Sequence, residues 1–251
     1  MDIETAPHKA YIWDCRTEYV SPDHIVEPGY TLCWAAKWHG AASVMFGSIH
    51  RHGGRAMVRS IHKLLGDADA VVHFNGKKFD VPTLNREFLL AGLSPPAPFK
   101  QIDLLQTCRR KFKFASNRLD YVSQALGEGA KVEHKGMDLW KECMAGDAES
   151  WKVMEAYNKH DVRLTERMYE RLMPWIDGHP NASLYQDEAC CPNCGGTKRQ
   201  ARGSELTSGL EYTRFQCTEH LPVTGRKCGK WYRSIKPRTD TRRRQMMPIA
   251  A

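Results

Sequence analysis

Apolar residues fall in short runs early in the chain and at helical spacing later. Tyr30–Trp38, Ser43–Ile49 and Ala70–Phe74 are alternating or continuous apolar segments of strand length, broken by Gly40 and by Gly53-Gly54. Met57–Leu65, Val81–Leu90, Leu119–Leu126 and, most clearly, Ser150–Ile176 repeat apolar residues every three or four positions and predict helices. Strands come first and helices thicken later, an α/β order that places one mixed sheet at the centre, flanked by helices. Ser94–Pro98 reads as a surface loop. Asp177 to Asn181 ends the long helix, and the segment that follows reads as a linker. The domains expected are residues 1–180, a linker at 181–189, a small cysteine-bearing domain at 190–236 and a basic, mobile tail at 237–251.

Three acidic segments in this pattern carry chemistry. In the last helix Val153, Tyr157, Asp161, Leu164, Met168 and Leu172 fall on one face, which is apolar except for Asp161 and the Tyr157 hydroxyl. A carboxylate buried in such a stripe needs a partner, and a metal ion or a Lys or Arg would supply it. Asp80 follows the short strand Val71–Phe74 and the turn Asn75-Gly76. There it is open to reading as a helix N-cap or as a second site acid. Asp2 and Glu4 lie two apart, so on a strand they project from the same face. Four carboxylates meeting at one point suppress each other's ionisation. Two divalent ions about 3.5–4 Å apart would relieve that conflict, and such a pair is suited to phosphodiester hydrolysis.

Charge and cysteine usage add a second feature. The chain of 251 residues has 41% hydrophobic residues and a net charge of +8. From Cys190 onward thirteen Lys/Arg face four Asp/Glu, or +9, whereas the first 189 residues carry 24 against 25, or −1. A nearly neutral body with a basic C-terminal part points to a polyanionic partner, most simply nucleic acid. No apolar run reaches the length of a membrane span, and the N-terminus lacks a basic-then-apolar signal pattern. The expectation is therefore a cytoplasmic protein with no membrane partner. Nine cysteines, four isolated and five clustered near the C-terminus, suit reduced thiols and a metal site. Cys191 and Cys194, with Cys217 and Cys228, match a tetrahedral structural zinc, with His220 as the alternative fourth ligand. Cys190 is spare. A redox pair is the other reading of Cys191 and Cys194.

In their order, the three acidic segments resemble the three exonuclease motifs of the DEDD, or DnaQ-like, 3′–5′ exonuclease superfamily, which has an RNase H-like fold. The segment from His73 to Leu84 is especially similar to the second motif of family B DNA polymerase exonuclease domains and of their stand-alone bacterial and phage relatives. The resemblance spans roughly residues 1–176. It implies Asp2 and Glu4 as the first motif, Asp80 as the second and Asp161 as the third. Tyr157, four before Asp161, gives the tyrosine subtype; His160 is adjacent to Asp161 and points elsewhere around the helix. The implied activity is 3′–5′ exonuclease action on single-stranded DNA ends with two Mg²⁺ or Mn²⁺. The cysteine segment resembles a zinc ribbon that would hold one structural Zn²⁺ and help grip nucleic acid. Thr5, Asn75 and Phe79 are candidate nucleotide contacts, with a plain core position favoured for Phe79. Arg109–Phe114 interleaves cations with aromatics, which fits either a strand-binding surface or a solvated helix end.

Two other readings remain open: an RNA 3′-trimming exonuclease with the same site, and a nucleic-acid-binding adaptor that does not turn over. A DNA polymerase or replication protein, in a bacterial or phage-infected cell, is the partner that the resemblance suggests. Because Met1 alone precedes Asp2, the first strand is short of residues to pack on both faces. The expectation is an apolar run of about four to six residues upstream.

Overall fold

The computed structural model describes residues 1–16 and 19–238. Most of the basic tail expected at 237–251, including Arg242, Arg243 and Arg244, lies outside them. The chain divides into two compact units, Met1–Met168 and Tyr169–Ala251.

In the first unit the elements run β1 (Asp2–Thr5), β2 (Lys9–Ala10), β3 (Ile25–Glu27), β4 (Thr31–Ala36), β5 (Met45–Ser48), α1 (Ile49–His52), α2 (Gly54–Gly66), β6 (Ala70–His73), α3 (Asp80–Leu90), β7 (Lys100–Asp103), α4 (Leu104–Lys111), α5 (Leu119–Ala125), α6 (Met137–Met144) and α7 (Ala148–Leu172). The central sheet expected from the sequence is found as an antiparallel sheet, β1-β4-β5, and a parallel pair, β6-β7. Just before β1, the Met1 amino group donates to the Val72 carbonyl of β6 at 3.0 Å.

All six residues of β4 are buried. Trp34 and Ala36 pack with Ile3, Met57, Ile61 and Leu84 against α2 and α3. Cys33 packs with Leu139, Trp151, Met154 and Tyr157 of α6 and α7. Each such large apolar side chain contributes roughly 1.5–3 kcal/mol on burial. Strand alternation has a direct consequence in β1: with Ile3 committed to the α2–α3 side, Asp2 and Glu4 must face the other way.

In the second unit, three strands, β8 (Arg199–Leu206), β9 (Glu211–Cys217) and β10 (Trp231–Pro237), form an antiparallel sheet in the order β10-β9-β8. The division falls inside α7, earlier than the linker read from the sequence, because the last turn of that helix is tied to the cysteine segment. The buried Glu170 carboxylate accepts from Val223 N at 3.0 Å and from Thr224 N and Oγ1 at 2.7 Å. Asn193 Nδ2 donates to the Met173 carbonyl at 2.7 Å. Among the described residues, no helix is long and apolar enough to cross a membrane.

Candidate acidic site and cysteine cluster

The turn of β1 toward α7 brings carboxylates together. Oxygens of Asp2, Glu4 and Asp161 all lie within 4.8 Å of one another. Asp161 is 2% exposed, and its Oδ1 is buried without a hydrogen-bond partner. Asp80 is outside this group of three. It is the first residue of α3 and not its cap, and its Oδ1 accepts from Ile3 N at 3.1 Å, beside Asp2. The turn before it is tightly specified. Asn75 sits at φ 71°, and a Cβ on Gly76 would come within 2.5 Å of the His73 ring, so only glycine fits there. Buried Asp103 clamps this turn, accepting from Asn75 N at 3.0 Å and Lys77 N at 3.3 Å.

Burial, with the adjacent Asp80, Glu4 and Asp161, holds the Asp2 carboxyl well above the usual carboxylate range. Burial likewise pushes Glu4 up to about 8, against the pull of Lys131, and Asp80 up to about 6, against the pull of the α-amino group. These groups lack enough positive charge to ionise freely.

The charge they do receive comes from the α-amino group, for Asp80, and from Lys131, for Asp2, Glu4 and Asp161. The Lys131 ammonium donates to Asp161 Oδ2 at 2.5 Å and to the Tyr157 hydroxyl at 3.0 Å. Although burial opposes its charge, Asp161 outweighs burial and holds the Lys131 pKa above the usual range. Its loop is pinned by Lys131 N to Asp120 Oδ1 at 3.0 Å, by the His160 ring to the Ala130 carbonyl at 2.9 Å and by Arg167 Nε to the Glu128 carbonyl at 2.9 Å. A Lys partner for Asp161, one of the two options open from the sequence, is therefore present. A compact divalent ion offers the same carboxylates more charge, and the unpartnered Asp161 Oδ1 and the raised acids fit such an ion.

Tyr157 is buried, with its ring 4.8 Å from that of His134 and 6.2 Å from that of Trp140. Burial and then Asp161 hold its phenol above the ordinary value, so the hydroxyl keeps its proton. Asn158, which the sequence reading passed over, donates from Nδ2 to Asp2 Oδ2 at 2.7 Å. Its signal was a polar residue in the stripe Met154, Asn158, Asp161, Thr165, all of them buried. Lys131 had no such signal, because a loop lysine has no periodicity.

Two further expectations change. Val153 is 44% exposed and does not belong to the buried stripe, which begins at Met154. Phe79 is 45% exposed, so the core reading of that residue fails. Arg109 reaches a cleft of about 590 Å³ that also touches Asn75, Asn117, Arg118 and Lys131. Thr5 lines a smaller hollow, of about 330 Å³, with His134 and Trp140.

The cysteine cluster is separate from these acids in sequence and unit. Sulfurs of Cys191, Cys194, Cys217 and Cys228 all lie within 4.8 Å of one another. Cys191 and Cys228 are 3.9 Å apart, and Cys194 and Cys217 are 3.6 Å apart. Tetrahedral zinc with bonds of about 2.3 Å requires sulfurs about 3.8 Å apart, so the geometry is compatible with zinc. His220 is not in the cluster; its Nδ1 is 2.8 Å from the Gly225 carbonyl.

Residues 41–173 match the family model described as the RNase H superfamily. The match includes Asp80, Lys131, Tyr157 and Asp161 and starts after β1 and β4. No curated protein matches the chain.

Proposed function

The chain belongs to the RNase H superfamily, and from that premise we propose that it is a metal-dependent 3′–5′ exonuclease of the DEDD type, tyrosine subtype, acting on single-stranded DNA ends. The observation that carries this reading is the meeting of Asp2, Glu4 and Asp161, with the Lys131 ammonium on Asp161. Asp2, Glu4, Asp80 and Asp161 would hold two Mg²⁺ or Mn²⁺. Such ions lower the pKa of a bound water and stabilise a leaving 3′-oxygen. Asn158 holds Asp2 in place through its amide. Tyr157 orients the attacking water and is no base, since its phenol titrates above the ordinary value. Lys131 donates to the Tyr157 oxygen, which leaves the phenolic hydrogen free to point at that water. Lys131 also stays charged and tempers the repulsion among the acids. Asn75, Thr5 and the exposed Phe79 are the nucleotide contacts of this reading.

The four cysteines hold one structural Zn²⁺ in a ribbon. That unit is too small to fold on an apolar core alone, and metal binding supplies much of its stability. Its basic character assists nucleic-acid binding.

The test is purified protein with Mn²⁺ on matched single strands of DNA and RNA, labelled at either end. The reading expects a descending ladder from 5′-labelled DNA and immediate release of a labelled mononucleotide from 3′-labelled DNA. Internal cuts, or cleavage of RNA alone, would overturn it.

A further inference from the structure

One face of the β8-β9-β10 sheet carries three arginines, two of which meet no carboxylate among the described residues. The register places Gln200 opposite Gln216, Gln216 opposite Trp231 and Arg214 opposite Arg233. By alternation, Gln200, Arg214, Trp231 and Arg233 share that face, as does Glu205 opposite Tyr212; Arg202 lies where the register of β8 shifts and joins the face through its bond to Gln200. The cations on it differ in what holds them. Arg233 is paired with Glu205 at 2.8 Å and so is largely spent. Arg202 is held only by a neutral amide, its Nε and Nη2 donating to Gln200 Oε1 at 3.1 and 2.8 Å. Arg214 donates from Nε to the Arg202 carbonyl at 3.0 Å, and its guanidinium lies 5.1 Å from the centre of the Trp231 ring. Neither guanidinium meets a carboxylate among the described residues. Trp231 is 46% exposed.

Two guanidinium groups, oriented by neutral partners, lack a counter-anion, and the half-exposed indole beside Arg214 has no aromatic ring against it among the described residues. A single nucleic-acid strand supplies both: phosphates for the arginines and an unpaired base for the indole. A duplex supplies the phosphates but keeps its bases stacked on each other. We infer that the Arg202–Arg214–Trp231 face is a stacking platform for single-stranded nucleic acid. It rests on the reading above that the cysteine-bearing unit serves nucleic-acid binding, and it names the face, the mode and the strandedness.

The test is equilibrium binding of the full chain to a labelled 12-mer single strand and to the same sequence as a duplex. It is made in the Asp161→Ala background without divalent ions, so that nothing is cleaved. Trp231→Ala should weaken single-strand binding about tenfold, Trp231→Phe should keep most of it, and the duplex should lose much less. Arg214→Gln should weaken the single strand and flatten its salt dependence. Zinc content is measured in each variant. If Trp231→Ala loses zinc, Trp231→Phe and Arg214→Gln decide the matter. Single-strand binding equal to the parent's in a zinc-retaining Trp231→Ala protein, or in Arg214→Gln, overturns the inference, as does an equal loss on the duplex. Failure of the exonuclease reading shows elsewhere, as the absence of a ladder from the wild-type chain, so the two outcomes are distinguishable.

Discussion

Tyr157 and Lys131 carry the proposed division of labour at the scale of single residues. In the proposed reading the phenol would supply a hydrogen to the water, and the ammonium, which donates to the Tyr157 oxygen and to Asp161, would orient it and offset the carboxylates. Tyr157→Phe keeps the ring against His134 and Trp140 but removes the hydroxyl. The expected result is a hydrolysis rate lower by about 10²–10³-fold with metal affinity retained, since positioning and proton-handling roles are typically worth about 10²–10⁴-fold. Wild-type rates would make Tyr157 only a packing residue. The neighbouring amide is a second case: Asn158→Leu fills a similar volume but releases Asp2. Weaker divalent binding, measured by titration, is the expected outcome, and unchanged binding would remove Asn158 from the site. At this scale the sequence was partly legible. Asp161 and Tyr157 stood out because polar groups interrupted an apolar stripe at a spacing of four, and Asn158 carried the same signal. Lys131 was invisible, because its position depends on three separate anchors to α5 and α7 that no local pattern encodes.

At the level of elements, β1 and α7 do most of the positioning. Alternation in β1 turns two acids toward α7 once Ile3 enters the core between the sheet, α2 and α3. The long helices and the strands β4, β5 and β6 were readable because their periodicity is imposed by burial on one or both faces. The parallel strand β7 and helices α4 and α6 were not read, as each is short and its pattern merges with neighbouring loops. The far end of α7 has a different task. Glu170 is 2% exposed and satisfies two backbone N–H groups and one hydroxyl of the segment at Val223 and Thr224. Glu170→Ala would leave those part-buried donors without the carboxylate, at a cost of roughly 1 kcal/mol, since water can reach them in part. The expected reading is faster zinc release to a chelator and a lower denaturation midpoint. Unchanged zinc release would show that this carboxylate does not hold the cysteine-bearing unit together.

For the whole molecule, the cost of gathering acids sets a dependence on pH. Glu4 in the folded chain titrates at about 8 and Asp80 at about 6, both raised by burial. A carboxyl whose folded pKa is raised binds its proton more tightly when folded. Its contribution is therefore full below the unfolded value, near 4, and is lost as pH rises through the folded value. Without divalent ions, thermal stability should fall between about pH 5 and pH 8, and Mg²⁺ or Mn²⁺ should restore it more at pH 8 than at pH 5. Scanning calorimetry with and without Mn²⁺ checks this; a metal-independent profile would mean that the acids do not take the ions. The central claim, that these acids form a two-ion site, is tested most directly by counting Mn²⁺. Electron paramagnetic resonance of free Mn²⁺ should show two ions taken up per zinc-loaded chain when a single strand with nonhydrolysable linkages is bound, and fewer by Asp161→Ala. Equal uptake by the two proteins, or none by either, would contradict the account.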